Sequence, residues 1–380
     1  MKKGWETKAV GDVLQKTETT NPRQSPDEEF EYIDVSSVSN TTFQIERTQR
    51  LRGKAAPSRA RKLVRTNDVI FATIRPTLQR IAIVPELLDK QVCSTGYFVL
   101  RPKPSVAHRY IYYWLFSEAF MEQMEVLQKG ASYPAVTDAE VRAQIIPVPS
   151  LPEQHRIVGI LDEAFDGIAT AKANAEKNLQ NARALFESHL QTVFTQRGEG
   201  WVETTIDRIS TNLDSKRVPI TKNVRTSGNY PYYGASGIVD YVNDYIFEGD
   251  TLLVSEDGAN LLARTTPVAF SVSGKYWVNN HAHILKFENM ASQRFVEFYI
   301  ESIKLDEFIT GAAQPKLNQK ALNSIPIPFP KSVEAQAKTV ASIESLMEET
   351  QRLESIYKQK LAALDELKKS LLDQAFKGEL

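Results

Sequence analysis

The chain is written twice, and this limits its possible folds more than any other feature. Gly4-Trp5 recurs as Gly200-Trp201, and the landmarks that follow keep the same order in both halves. Asn67-Asp68-Val69-Ile70-Phe71 is matched by Gly249-Asp250-Thr251-Leu252-Leu253, and Arg109-Tyr110-Ile111-Tyr112-Tyr113 by Arg294-Phe295-Val296-Glu297-Phe298. Gly130-Ala131-Ser132-Tyr133-Pro134 returns as Gly311-Ala312-Ala313-Gln314-Pro315, and Ile146-Pro147-Val148-Pro149 as Ile325-Pro326-Ile327-Pro328. The offset shrinks from 196 to about 180 residues along the way, so loops differ while elements persist. A repeat this long means duplicated domains, because solenoid units are only roughly 20–50 residues.

Each half divides into two parts. The globular parts, 1–152 and 200–332, carry short β-rich runs such as Asp68–Ile74, Gly96–Leu100, Asp250–Ser255 and His283–Phe287, split by Gly, Pro and Asn turns. One apolar-faced helix follows in each, near 107–128 and 291–309. Prolines then crowd together (Pro147, Pro149, Pro152; Pro326, Pro328, Pro330) and mark a break in the chain. The remaining parts, 153–199 and 333–380, read as long spacer helices of about 60 Å. The second carries heptads through Ile343, Leu346, Thr350, Leu353, Tyr357, Lys360, Leu364, Leu367, Leu371 and Gln374. The first runs through Ile157, Ile160 or Leu161, Ala164, Ile168, Ala171, Ala175, Leu179, Ala182, Phe186 and Val193, with alanines small enough to admit a close partner. A helix that long with one apolar seam needs a partner, and its duplicate is the nearest one. The expected class is therefore α/β (mixed α+β). Two duplicated globular domains are separated by two long helices that form an antiparallel coiled coil, with pseudo-two-fold symmetry. A helix pair inside one compact core is the alternative.

Composition excludes several classes. The longest apolar or aromatic run is Tyr110 to Phe116, far short of the about 20 residues a membrane span needs. Met1-Lys2-Lys3-Gly4-Trp5-Glu6 has no apolar stretch behind its lysines, so a signal peptide is not expected. The one cysteine, Cys93, permits no internal disulfide and fits a reducing cytoplasm. The net charge is −1, at first sight a poor sign for a nucleic-acid binder. The sum hides a segregation. Residues 1–152 hold 21 basic against 17 acidic residues, and the rest of the chain 25 against 30.

Within the first domain Arg47, Arg50, Arg52, Lys54, Arg59, Arg61, Lys62 and Arg65 occur with no acid among them, and Arg75 and Arg80 follow on a turn. The second domain repeats the pattern more faintly with Arg208, Lys216, Arg217, Lys222 and Arg225. Guanidinium groups grip phosphate bidentately and read guanine edges, so acid-free runs suit a loop that tracks a phosphate backbone. Solvated loops are the other reading. Tyr232, Tyr233 and Ser236 in Pro231–Gly237, and Asn260 in Ser255–Asn260, put aromatic and small polar groups on turns where backbone could approach a ligand. Packing beneath a loop explains the tyrosines equally well. These residues, with Lys216, Arg217, Lys222 and Arg225 and the arginines and lysines from Arg47 to Lys62 and Arg75 to Arg80, are the candidate DNA-binding set.

Chemical motifs are missing. There is no phosphate-binding P-loop, no Asp/Asn-Pro-Pro-aromatic methyltransferase motif (Asn21-Pro22-Arg23 is the nearest) and no glycine-rich cofactor fingerprint. His281-Ala282-His283 could place two imidazoles on one strand face for a metal. Without a third ligand at usable spacing, a structural or DNA-contacting pair is the better reading. Glu366-Leu367-Lys368 reads as helix surface charge around a seam leucine. No catalytic residue and no metal site are expected.

The ordered duplication resembles the specificity subunits of type I restriction–modification systems. The residues that carry this are Gly4-Trp5 and Gly200-Trp201, the junction Ile145-Ile146-Pro147-Val148-Pro149-Ser150-Leu151-Pro152-Glu153-Gln154, and the helix ends at Phe194 with Gly198 and at Phe376-Lys377-Gly378-Glu379-Leu380. Pro231-Tyr232-Tyr233-Gly234 and Asp257-Gly258-Ala259-Asn260 add to them. The second junction departs from the pattern, with Pro330-Lys331-Ser332-Val333-Glu334-Ala335-Gln336 in place of Leu-Pro-Glu-Gln. The resemblance implies a non-catalytic, cytoplasmic DNA-specificity subunit. Each globular domain would read one half of an asymmetric bipartite target on double-stranded DNA. The coiled coil would set the spacer and recruit two methyltransferase subunits, with nuclease and translocase subunits joining them. No cofactor is expected on this chain; methyl donor and Mg would be bound by partner subunits. The alternative is a symmetric protein–protein scaffold that binds no DNA.

Overall fold

Each half of the chain is closed by a ladder between its first and last strands. In the computed structural model, which describes residues 4–311 and 313–380, Glu6–Ala9 pairs antiparallel with Ile145–Val148. Trp201–Thr205 pairs likewise with Pro326–Pro330. Met1 to Lys3 and Ala312 lie outside the described residues. The Gly-Trp and Pro-rich landmarks are thus the two sides of one ladder, and Trp5 and Trp201 pack against the cores beside it. Of the prolines expected to break the chain, Pro147, Pro326, Pro328 and Pro330 are instead strand residues, while Pro149 follows the strand and Pro152 sits in the first turn of the long helix. Antiparallel partners alternate between pairs that exchange hydrogen bonds and pairs that do not. Pro326, Pro328 and Pro330 sit at every second position, so all three missing N–H groups fall on the outward side of the ladder.

Two compact units result, Met1–Ala175 with Gln359–Leu380 and Glu176–Lys358, and each is built from the same parts. The first holds a four-stranded sheet, in order Gln49–Arg52, Glu29–Ile33, Val92–Ser94 and Ala60–Leu63. Its second sheet is Ile81–Ile83, Val69–Ala72 and Tyr97–Leu100. The second unit repeats both: Gly237–Val242, Ser227–Gly234, Lys275–Val278 and Phe247–Glu248; then Thr211–Asn212, Ala282–Lys286, Thr251–Ser255 and Ala269–Val272. One parallel pair occurs at the same place in each, Tyr32 opposite Val92 and Tyr232 opposite Trp277. The strands Val69–Ala72 and Thr251–Ser255 are buried along their whole length, with polar residues only at the ends of the second, because both of their faces are covered. Val69 and Phe71 join the helix-side core while Ile70 and Ala72 join the core between sheets. Leu252 and Val254 separate from Leu253 in the same way.

The helix expected near 107–128 is two helices, His108–Trp114 and Glu118–Leu127. Ser117 divides them, its hydroxyl accepting from the Phe120 N–H as an N-cap. The counterpart Met290–Ser302 is unbroken and capped by Asn289. The long helices span Leu151–Thr195 and Val333–Lys377. A buried glutamine fixes the start of each. Gln154 donates to the Pro149 carbonyl (2.9 Å) and Gln336 to the Pro330 carbonyl (2.8 Å), so the altered second junction keeps its essential hydrogen bond.

Within the first unit the two helical segments run antiparallel, with Arg156 donating to the Leu380 carbonyl and Lys172 paired to Asp365. Within the second, Arg183 meets Glu354 at 2.9 Å. The stripe read on the first helix is the observed one, with Ile157, Leu161, Ile168, Ala175 and Ala182 buried. On the second helix the heptad reading drifts off the seam. Lys360 is exposed and Leu367 is 46% exposed, while Leu361 and Lys368 take the inward positions. A strict seven-residue spacing slips by about 20° per heptad on a straight helix, enough to move the seam one residue over this length. Lys368 is therefore not surface charge. Its ammonium lies over the rings of Phe43 (5.3 Å) and Phe165 (5.1 Å).

Candidate nucleic-acid interface

The basic run Arg47–Arg65 has no acid in its own sequence, yet the fold brings acids to half of it. Arg50 and Arg52 share Glu29 at 2.7 and 3.4 Å, and Arg65 pairs with Glu18 at 3.1 Å. Arg61 donates to the side-chain oxygen of Asn21 and Arg80 to the Val38 carbonyl. Lys62 is mostly buried, donating to the Tyr97 carbonyl and to Asp138, both at 2.6 Å. Arg47, Lys54 and Arg59 are exposed and carry no ion pair among the described residues. The sequence alone makes all eight look alike. Only these three keep a fully free cationic head, because a strand alternates faces and neighbours contribute acids that linear spacing does not show.

The second unit sorts in the same way. Lys216 and Lys222 are exposed and unpaired among the described residues. Arg217 is turned inward onto Glu256 (2.6 Å) and the Ala282 carbonyl (2.9 Å). Arg225 lies over the Tyr232 ring at 4.3 Å and pairs with Asp240 at 3.1 Å. Tyr232 is 1% exposed, and its hydroxyl accepts from the Ile220 N–H. Tyr233 packs against Phe270 and Tyr276. Asn260 ties its own loop, donating to the Thr266 carbonyl and accepting from the Thr266 N–H. Ser236 alone of these four stands exposed on a turn. Arg217, Tyr232 and Asn260 are thus loop-holding groups, and a bound ligand would meet what they hold.

The histidines part company. His281 is exposed and faces Asp257 at 2.9 Å. His283 is buried, with Nδ1 2.5 Å from Asp214 and Nε2 2.7 Å from the Leu317 carbonyl. Asp214, Glu256 and His283 bring their ligand atoms within 4.8 Å of one another, a grouping that could hold a metal ion. The donor set does not fit one. Arg217 and Lys316 already sit on Glu256 at 2.6 and 3.1 Å. Burial pushes Asp214 upward, but the His283 hydrogen bond and charge outweigh it and hold the carboxyl below its usual range. For Glu256 burial is likewise overcome by Arg217 and Lys316. The Asp214 carboxylate and the Leu317 carbonyl each occupy one imidazole nitrogen of His283, so neither nitrogen is left to a metal. This is a largely buried ion-pair network that pins four segments together, 214–217, 256, 283 and 316–317.

The exposed loops above this framework are not evident from the sequence. In the first unit, Thr73–Arg80 lies beside Lys129–Ala135. The Arg75 N–H donates to the Pro134 carbonyl (2.7 Å) and the Val136 N–H to the Thr73 carbonyl (2.9 Å). In the second, the Gly258 N–H meets the Pro315 carbonyl (3.0 Å) and the Leu317 N–H the Glu256 carbonyl (2.8 Å). Arg75 and Gln79 take positive φ, 50° and 52°, at the ends of a short helical turn, and Gly258 and Arg264 do so at 109° and 46°. Tyr133 stands 72% exposed at the loop tip with the Arg75 guanidinium 5.2 Å from its ring centre. Gly130 and Gly311 are visible signals as matched landmarks, but nothing in the spacing shows which loops they face.

Comparison with known proteins agrees with this duplication. The family model of the type I restriction modification DNA specificity domain matches twice, over residues 2–180 and 198–363. A putative type I restriction enzyme specificity subunit of Haemophilus influenzae is 34% identical over 141 residues. That match covers 37% of this chain and only about a third, 36%, of the relative's length. The StySPI specificity subunit of Salmonella potsdam is 24% identical over 329 residues, covering 76% of this chain and 69% of that one. Among solved structures, a chain from work on complex assembly and conformational transition of the type I R-M system matches with a TM-score of 0.85 and 25% identity. It covers 100% of this chain and 99% of that one. The HsdS subunit from Thermoanaerobacter tengcongensis matches at 0.75 with 26% identity, covering 100% and 98%. With both halves matched and both built on the same elements, the chain belongs to the type I restriction–modification DNA specificity family.

Proposed function

We propose that this chain is the DNA-specificity subunit of a type I restriction–modification complex. The observation that carries the reading is the double family match over two units with the same strand pairing. One fold made twice with different surfaces suits a reader of two different half-sites on double-stranded DNA. The first domain, 1–152, takes one half-site and the second, 200–332, the other. The spacer helices, 153–199 and 333–380, set the gap between them and offer surfaces to two methyltransferase subunits, with nuclease and translocase subunits completing the assembly. Methyl donor and Mg belong to those partners, and this chain performs no chemistry itself. Arg47, Lys54, Arg59, Lys216 and Lys222 would meet phosphates, since an exposed, unpaired cation exchanges counterions for DNA at little cost.

The test is to assemble the full chain with the methyltransferase subunits from its own source and to map methylation on random-sequence DNA. A two-part motif with a fixed gap is expected. Adding seven residues to each long helix at matched positions should lengthen that gap and leave both halves of the motif unchanged. A complex that binds no DNA at any salt concentration would make the chain a protein–protein scaffold instead.

A further inference from the structure

We propose that the paired loop tips of each unit are its base-reading edge: Arg75 stacked on Tyr133 in the first, and Gln314 in the second. The inference rests on the DNA-specificity reading above and names residues within it. Three observations lead to it. The first is that the backbone of the tips is the same in both units. Lys129 pairs with Ala135 and Thr310 with Lys316, each closing a tight loop. Each loop opens on a glycine at positive φ, 107° at Gly130 and 87° at Gly311. Neither tolerates a side chain: an added Cβ would stand 3.0 Å from the Tyr133 carbonyl oxygen or 2.5 Å from that of Gln314. The same inter-loop hydrogen bonds then tie each tip to its neighbour.

The second observation is that this shared frame presents different side chains at matched positions. Arg75 answers to Gly258, and Tyr133 to Gln314. Packing does not require either difference, since Arg75, Tyr133 and Gln314 are all exposed. A frame held constant while its tips differ is what two readers of different half-sites need.

The third is the poise of Arg75. It holds a left-handed conformation that only glycine adopts freely, and the hydrogen bond from its own N–H to Pro134 keeps it there. Its guanidinium lies against the Tyr133 ring, and one Nη2 hydrogen bond goes to the Ser132 carbonyl at 3.3 Å. The guanidinium makes no other hydrogen bond and no ion pair among the described residues. A planar cation supported on an aromatic face and open along its edge matches the paired acceptors of guanine in the major groove. Gln314 has no hydrogen-bond partner among the described residues, and a free carboxamide matches the donor and acceptor of adenine.

The experiment maps the methylated motif of the assembled complex for the parent chain and for Arg75→Gln, Tyr133→Ala and Gln314→Arg. Arg75→Gln is expected to change guanine to adenine at one position of one half, and Gln314→Arg to make the reverse change in the other half. Tyr133→Ala should relax discrimination at the Arg75 position alone, by up to the roughly 5- to 150-fold that one bidentate contact confers. The untouched half of the motif serves as the folding control within the same molecule. An unchanged motif, a change in both halves, or an equal loss on all sequences overturns the proposal. If the parent chain itself yields no two-part motif, the DNA-specificity reading falls instead.

Discussion

Lys62 and Arg59 are three residues apart and face opposite fates. One is folded into a pair with Asp138; the other points to solvent. The two roles separate experimentally. Replacing Arg47, Lys54 and Arg59 by alanine should leave the unfolding midpoint in place. It should flatten the salt dependence of DNA binding, by up to about 0.9 log units per log salt for each phosphate no longer neutralised. Lys62→Ala should do the reverse, costing on the order of 1–2 kcal/mol in denaturant unfolding with little change in salt slope. A fall in slope for Lys62→Ala would place that side chain on the DNA after all. Cys93 makes a second test. Buried at 0% exposure, its thiol is pushed up to about 12, chiefly by desolvation. Alkylation at neutral pH should therefore proceed only as the first unit opens, which mass spectrometry against denaturant would follow. Residue type alone does not tell these cases apart, because burial depends on partners more than thirty positions away.

Elements are more legible than residues. The long helices and the apolar strands declare themselves by period and length, and both appear within a few residues of the expected spans. The closing ladders do not, because proline is a sign against strand everywhere except where its missing donor faces out. That geometry gives a sharp contrast in the partner strand. Thr204 lies opposite Ile327, and Glu203 opposite Pro328. Since Pro328 cannot donate, the Thr204 pair is the one that exchanges hydrogen bonds. Thr204→Pro should destabilise by about 2 kcal/mol or more, and Glu203→Pro by under about 1 kcal/mol. Equal thermal shifts would mean that the ladder alternates in the other phase. The seam of the second helix is obscured for a related reason: a seven-residue template is slightly too short for a straight helix, and only the half-burial of Lys368 and exposure of Leu367 reveal the slip.

At the scale of the molecule, the two units are copies in topology but not in electrostatics. The first holds one buried pair at the edge of its second sheet, Asp68 with Arg101 at 2.8 Å, whereas the second gathers Asp214, Glu256, Arg217 and His283 under its loops. Asp214 and Glu256 are both held below their usual range, so the stability they contribute is present above the ordinary carboxylate range and is lost as pH falls through their lowered values. Acid should therefore loosen the second unit before the first. Hydrogen-exchange mass spectrometry from neutral pH to below about 4 would show peptides of 211–217, 255–260 and 281–286 exchanging first; simultaneous deprotection at 69–72 and 97–100 would contradict it. The duplication itself is legible from end to end, because ordered landmarks survive divergence. The buried network is not, because its members are spread over about a hundred residues and become neighbours only through the fold.

The closing ladders have one more consequence. A segment whose first and last strands lie side by side leaves and rejoins the rest of the chain at nearly one point, like a page held by a single staple. Glu6–Ala9 against Ile145–Val148, and Trp201–Thr205 against Pro326–Pro330, make each such segment a cassette. Genetic recombination that cuts just outside these strands could replace the whole cassette without disturbing the helices that follow. New pairings of old halves would then arise in single events, and a lineage could renew its repertoire faster than point mutation alone allows.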